Sequence, residues 1–146
     1  MKRPLTRFLL LALLVSAAFA AWAWFRPYEW RPDPAARFKV QQVVFTPDHG
    51  HGWLDVFLTR TGDAGHDLEK PLILESSAGW RKSSQDLTLG GKSGEVPTDL
   101  WLRFWLEPGE LDGTLKLHLN DGVLTVKSTT GSPALSGPTP FSTSRW

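Results

Sequence analysis

The chain of 146 residues contains no cysteine. That absence removes disulfides, Cys-ligated zinc, iron–sulfur clusters, thiol catalysis and a lipid anchor on a processed cysteine, so any folded part is held by its apolar core alone. A hydrolase motif is lacking too. Ser76-Ser77-Ala78-Gly79 and Gly91-Lys92-Ser93-Gly94 put serine near glycine but have neither a Gly-x-Ser-x-Gly elbow nor an evident histidine partner. Gly90-Gly91-Lys92-Ser93 echoes a phosphate-binding loop only in part, because Asp86 stands where the first glycine belongs and no helical pattern follows. Glu107 and Glu110 flank Pro108-Gly109 and read as solvated charges on one turn. No enzyme is expected, and no cofactor.

Charge is missing from Phe8 to Phe25, an apolar run of 18 residues preceded by Lys2, Arg3 and Arg7. At about 1.5 Å of rise per residue such a helix covers about 27 Å, close to the hydrocarbon thickness of a bilayer. Past the run, Arg26 and Arg31 are offset by Glu29 and Asp33, so the positive-inside bias keeps the N-terminus cytoplasmic and the remainder periplasmic or extracellular. The other reading is a cleaved secretory signal, with Phe8 to Val15 as its apolar region and Ala18-Phe19-Ala20 as the site, which leaves a secreted protein starting at Ala21. Continued hydrophobicity through Trp22, Trp24 and Phe25, with Tyr28 and Trp30 at headgroup level, favours an uncleaved anchor with Trp22, Trp24, Tyr28 and Trp30 as its interfacial residues.

Positive charge is scarce outside the leader. From Phe38 onward there are 10 Lys plus Arg against 13 Asp plus Glu, a net of −3. Nucleic-acid binding, which is carried by cation–phosphate contacts, is therefore not expected.

What is present divides the chain into four parts. Residues 1–25 form the anchor. Residues 26–37 hold three prolines and read as a stiff stalk. Residues 129–146, rich in Ser, Thr, Pro and Gly, read as a flexible tail. Between them, residues 38–128 alternate with period two. Phe38, Val40, Gln42 and Val44 share one face of the first segment; Leu54, Val56 and Leu58 oppose Trp53, Asp55 and Phe57; Leu100, Leu102, Phe104 and Leu106 oppose Trp101, Arg103 and Trp105. Shorter segments fall near Leu72 to Glu75, Trp80 to Lys82 and Leu87 to Leu89. Leu115 to Leu119 and Leu124 to Lys127 flank Asp121-Gly122; a two-residue turn there sets Leu119 opposite Leu124 and Leu117 opposite Val126, with Lys127 on the outer face. Six or seven short strands without a helix predict an all-β antiparallel sandwich, immunoglobulin-like or transthyretin-like in broad type, behind one N-terminal transmembrane helix.

Two residue groups could carry function. His49, His51 and His66, with nearby aspartates, could ligate a metal if their loops converge, although solvated turns explain the same residues. Trp101, Arg103 and Trp105 share a strand face that could bind a protein or stack on sugar rings, whereas the other tryptophans of the domain, Trp53 and Trp80, are expected in the core. The expected role is a membrane-tethered, non-catalytic interaction module with a protein partner in the envelope. A carbohydrate-binding module and a metal-handling protein are the alternatives.

Overall fold

The computed structural model describes residues 3–25, 32–133 and 137–146. The chain forms two compact units, Met1–Arg31 and Pro32–Trp146.

In the first unit, helix α1 spans Arg3–Phe25. Its stretch Pro4–Trp24, 21 residues with none of it buried, is long and apolar enough to cross a membrane, and a signal sequence would meet the same test. Trp22 and Trp24 are exposed on its last turns, and the Phe19 and Trp22 rings lie 5.7 Å apart. Tyr28, Trp30 and residues 26–31 of the expected stalk lie outside the described residues.

The second unit is an antiparallel sandwich. Its strands are β1 (Phe38–Asp48), β2 (His51–Arg60), β3 (Ile73–Ser76), β4 (Arg81–Ser83), β5 (Asp86–Gly90), β6 (Asp99–Leu106), β7 (Leu115–Leu119), β8 (Gly122–Lys127) and β9 (Phe141–Thr143). Hairpins alternate between two sheets. β1–β2 and β5–β6 join β9 in a sheet of order β5-β6-β2-β1-β9, while β3–β4 and β7–β8 make the second, of order β4-β3-β7-β8. The period-two pattern places the core between them: Leu54, Val56 and Leu58 of β2 and Leu100 to Leu106 of β6 meet Leu74, Leu115, Leu117, Leu119, Leu124 and Val126.

Local chemistry shifts several sequence expectations. Thr46 to Gly52, which reads as a loop, is mostly strand; His49 and Gly50, with φ of 49° and 85°, form a two-residue turn between Asp48 and His51. In β1 the register shifts between Val40 and Gln42, leaving Gln41 as a bulge residue. Phe38 and Val43, assigned to opposite faces by strict alternation, are consequently both buried.

The β7–β8 turn is also displaced. Leu119 pairs with Gly122 and Leu117 with Leu124, so the turn residues are Asn120 and Asp121. A shift of two positions preserves which side chains face the core, which is why the hydrophobic pattern alone does not reveal it. Gly122 is needed for contact rather than for a turn: a Cβ there would run into the backbone of Ala35 and Ala36. Those residues belong to a 3-10 turn, Pro34–Ala36, whose N-cap Asp33 accepts from Ala35 N (3.0 Å) and from Val123 N (3.1 Å). Asn120, at φ 54°, donates through Nδ2 to the Ala36 carbonyl (2.7 Å) and accepts at Oδ1 from Asp67 N (2.8 Å). Residues 33–36 thus dock on β8, and Ala36 is wholly buried.

The C-terminal segment, expected as a flexible tail, supplies β9, which pairs with Val43 to Phe45. Trp146 packs on Phe141 with centroids 5.0 Å apart, and its carbonyl accepts from Ser128 N (2.6 Å). Lys127, expected on the outer face, is 0% exposed. A second register shift between Leu115 and Lys116 makes Val126 the extra residue, so Lys127 turns inward beneath Trp146 and donates to the carbonyls of Gly113 (3.1 Å) and Thr129 (2.6 Å).

Two outcomes follow from these contacts. Gly122→Ala should cost about 1–3 kcal/mol through overpacking, whereas loss of the exposed Asp121–Lys70 pair in Asp121→Ala should change stability much less; urea unfolding of the full chain in detergent compares them. Burial lowers the Lys127 pKa below its ordinary 10.5, outweighing the attraction of Asp112. The unfolded chain then binds more protons between that lowered value and 10.5, so stability gains with rising pH in this window. A Lys127→Met variant, compared with the wild type in melts across that range, should lack this gain.

Candidate functional site

The outer face of the five-stranded sheet carries a second layer of large side chains. It arises from one register: Trp53 lies opposite Trp105, Asp55 opposite Arg103 and Phe57 opposite Trp101. Because successive residues alternate faces, the leucines that build the core leave these positions on the far side.

Asp55 is the centre of the layer. It is only 5% exposed although it points away from the core. A buried carboxylate is costly unless it is hydrogen-bonded and paired. Asp55 Oδ1 accepts from Arg103 Nε (2.7 Å) and Trp101 Nε1 (3.0 Å), and Oδ2 accepts from Arg103 Nη2 (3.3 Å). These bonds raise the Arg103 pKa above its usual value, the Asp55 hydrogen bond being the largest cause. The guanidinium is held between two rings, 5.2 Å from the Trp53 centroid and 5.3 Å from that of Trp101. Phe57 stacks on Trp101 within 13° of parallel at 5.6 Å, His51 stacks on Trp105 at 5.4 Å, and Trp53 meets Trp105 edge-on at 4.7 Å.

The result is a continuous row of half-buried rings around one ion pair. The expected trio Trp101, Arg103 and Trp105 shares this face, and the structure adds His51, Trp53, Asp55 and Phe57 from β2. Trp53, expected in the core, is not a core residue, whereas Trp80 packs partly against the core. The alternation of His51, Trp53, Asp55 and Phe57 was the available signal; the β2–β6 pairing that joins them to the trio is long-range and leaves no local mark. Both oxygens of Asp55 are engaged, so the layer offers a charge-compensated aromatic surface rather than a free base.

The three histidines do not meet. β2 separates His51 from Arg60 by nearly its full length, about 30 Å at 3.3 Å per residue. His49 contacts Asp48 (2.7 Å) at the β1–β2 turn, and His51 lies on Trp105. His66, past the other end of β2, has Nδ1 3.0 Å from Asn120 Oδ1. Among the described residues no three His, Cys, Asp or Glu side chains gather where a metal could be held. Glu110 accepts from Lys82 and from Glu107 N (2.7 Å), which makes it a turn-closing group rather than half of a carboxylate pair.

Asp55→Ala should cost about 1–3 kcal/mol, since it strands the charged donor Arg103 and the Trp101 indole, and should red-shift tryptophan emission as water reaches the layer; a melt combined with a fluorescence spectrum reads both. Compared with protein-family models, curated proteins and solved structures, the chain matches none.

Proposed function

We propose that this chain is a membrane-tethered, extracytoplasmic β-sandwich that acts without catalysis, binding a protein partner of the cell envelope through the outer face of its five-stranded sheet. The observation that supports this reading is the aromatic layer around Asp55 and Arg103. A sandwich already has its core between the sheets, and a second, half-exposed layer of three tryptophans, one phenylalanine and one arginine has the composition that dominates the energetic centres of protein interfaces. In this reading α1 is the anchor, with its basic residues on the cytoplasmic side and the sandwich on the other.

The ring contacts favour a protein over a sugar. Sugar stacking needs an open ring face, and here Phe57 covers one face of Trp101, while His51 and Trp53 lie against Trp105. Ring edges and the Arg103 head, 37% exposed, remain for contact.

Affinity capture from envelope extracts with the full chain tests the reading. The wild type should retain a partner, Trp105→Ala and Arg103→Ala should each lose it, and Thr125→Lys on the opposite sheet should keep it. Retention of a polysaccharide instead, or equal capture by all variants, would overturn the proposal. Protease added to intact spheroplasts should digest the sandwich while sparing α1; protection of the sandwich would reverse the topology.

A further inference from the structure

A sandwich with open sheets has four edges, and proteins usually block such edges against strand addition by shortness, charge, proline or a covering segment. Three edges here are blocked. β9 and β4 have three residues each, and β4 consists of Arg81, Lys82 and Ser83. β8 is covered where Asp33 takes the Val123 N–H and Ala36 lies on Gly122. β5 is the exception: five residues, Asp-Leu-Thr-Leu-Gly, without lysine or proline, paired with β6 on one side and with no described strand on the other.

The side chains at this edge are unusual as well. Leu87 and Leu89 lie opposite Leu102 and Leu100, and so belong to the inward face. Leu87 packs partly on the core, yet Leu89 is 46% exposed. Next to β5 opens a groove of about 370 Å³ whose apolar walls include Leu68, Leu72 and Leu87, with Leu68 itself 72% exposed.

We propose that β5 pairs antiparallel with β5 of a second copy, making a homodimer across this edge. The strand is self-complementary about Thr88. A two-fold axis there sets Leu87 opposite the partner's Leu89, Thr88 opposite its own copy, and Asp86 opposite glycine, so no like charges face each other. Cross-strand neighbours share a face, so each exposed Leu89 enters beside Leu87 of the other copy, at the groove walled by Leu68 and Leu72. The outward backbone groups of the strand gain interstrand hydrogen bonds. A peptide of unrelated sequence could use the backbone groups; a second copy of this strand in addition sets a leucine at the groove. The inference stands apart from the proposed function, since it uses the sheet's edge and not its aromatic face.

Because the chain has no cysteine, one introduced thiol reports on the contact without background. Opposed residues of an antiparallel pair have Cα atoms about 4.5–5.5 Å apart, within the span of a disulfide. The full chain in detergent, carrying Thr88→Cys, should form a disulfide-linked dimer on mild oxidation, and Thr125→Cys on the other sheet should not. Adding Leu89→Lys, which places a charge at a position already exposed to solvent, should slow the Thr88→Cys cross-link about tenfold or more while leaving the far-UV circular dichroism of the folded sandwich unchanged. Light scattering should give a dimer mass for the wild type and a monomer for Leu89→Lys. A Thr88→Cys rate no greater than that of Thr125→Cys, a rate indifferent to Leu89→Lys, or a monomeric wild type would each overturn the proposal; dimerisation through α1 would show itself as such indifference.

Discussion

The fold rests on one interface, the leucine-rich seam between the two sheets. Without disulfides, it is this seam that must offset the entropy of ordering the strands. Leu54, Val56 and Leu58 from β2 and Leu100, Leu102, Phe104 and Leu106 from β6 form its first half, in adjacent central strands. Those two strands contribute alternate residues to the seam, so their remaining residues must emerge together on the opposite face. The aromatic layer is a geometric consequence of the core: choosing the inner residues of β2 and β6 fixed where Trp53, Asp55, Phe57, Trp101, Arg103 and Trp105 would meet. A carboxylate could be accommodated among them only with its complement of donors, and β6 supplies these from the directly opposed and the diagonal positions.

Periodicity made the strongest elements legible. β2 and β6 alternate so strictly that their inner and outer faces follow from the residues alone, and the apolar helix at the N-terminus is equally plain. Features that depend on contact between distant segments were not legible. Asp121-Gly122 is good turn chemistry, yet Gly122 is claimed by the backbone of Ala35 and Ala36, and the turn moves to Asn120-Asp121. Asn120 tolerates positive φ, and its side chain ties residues 36 and 67 to the turn, so the displaced register gains two hydrogen bonds. Bulges at Gln41 and Val126 break alternation where sequence gives no warning, burying Phe38 with Val43 and turning Lys127 inward. In the polar C-terminal stretch, Phe141 and Trp146 were the available hint that the segment packs.

The histidines show the same limit from the other side. Two loops separated by one strand look close in sequence, but a ten-residue strand carries the chain across the whole domain. His49 and His51 therefore share the end bearing Trp105, while His66 joins the network around Asn120. His51 contributes to the outer layer by stacking, a role that follows from its place in the alternating row of β2 and not from its capacity to bind metal.

The aromatic layer and the open β5 edge belong to one sheet, and this links their consequences. β5 adjoins β6, so pairing two β5 strands places both copies of β6 in a continuous ten-stranded sheet, with the aromatic rows facing the same side. For a partner that itself repeats, two such rows at fixed spacing would make the second contact intramolecular, which raises avidity without any added side chain. Where α1 anchors the chain as proposed, confinement acts in the same direction, because chains held in one bilayer meet at a higher local concentration than free ones. Leu89 is then the residue on which the assembly turns: it is dispensable to the folded monomer, being half exposed, and costly to the monomer's solubility unless the edge is filled. An edge left unguarded in a sandwich whose other three edges are blocked is better explained by use than by neglect.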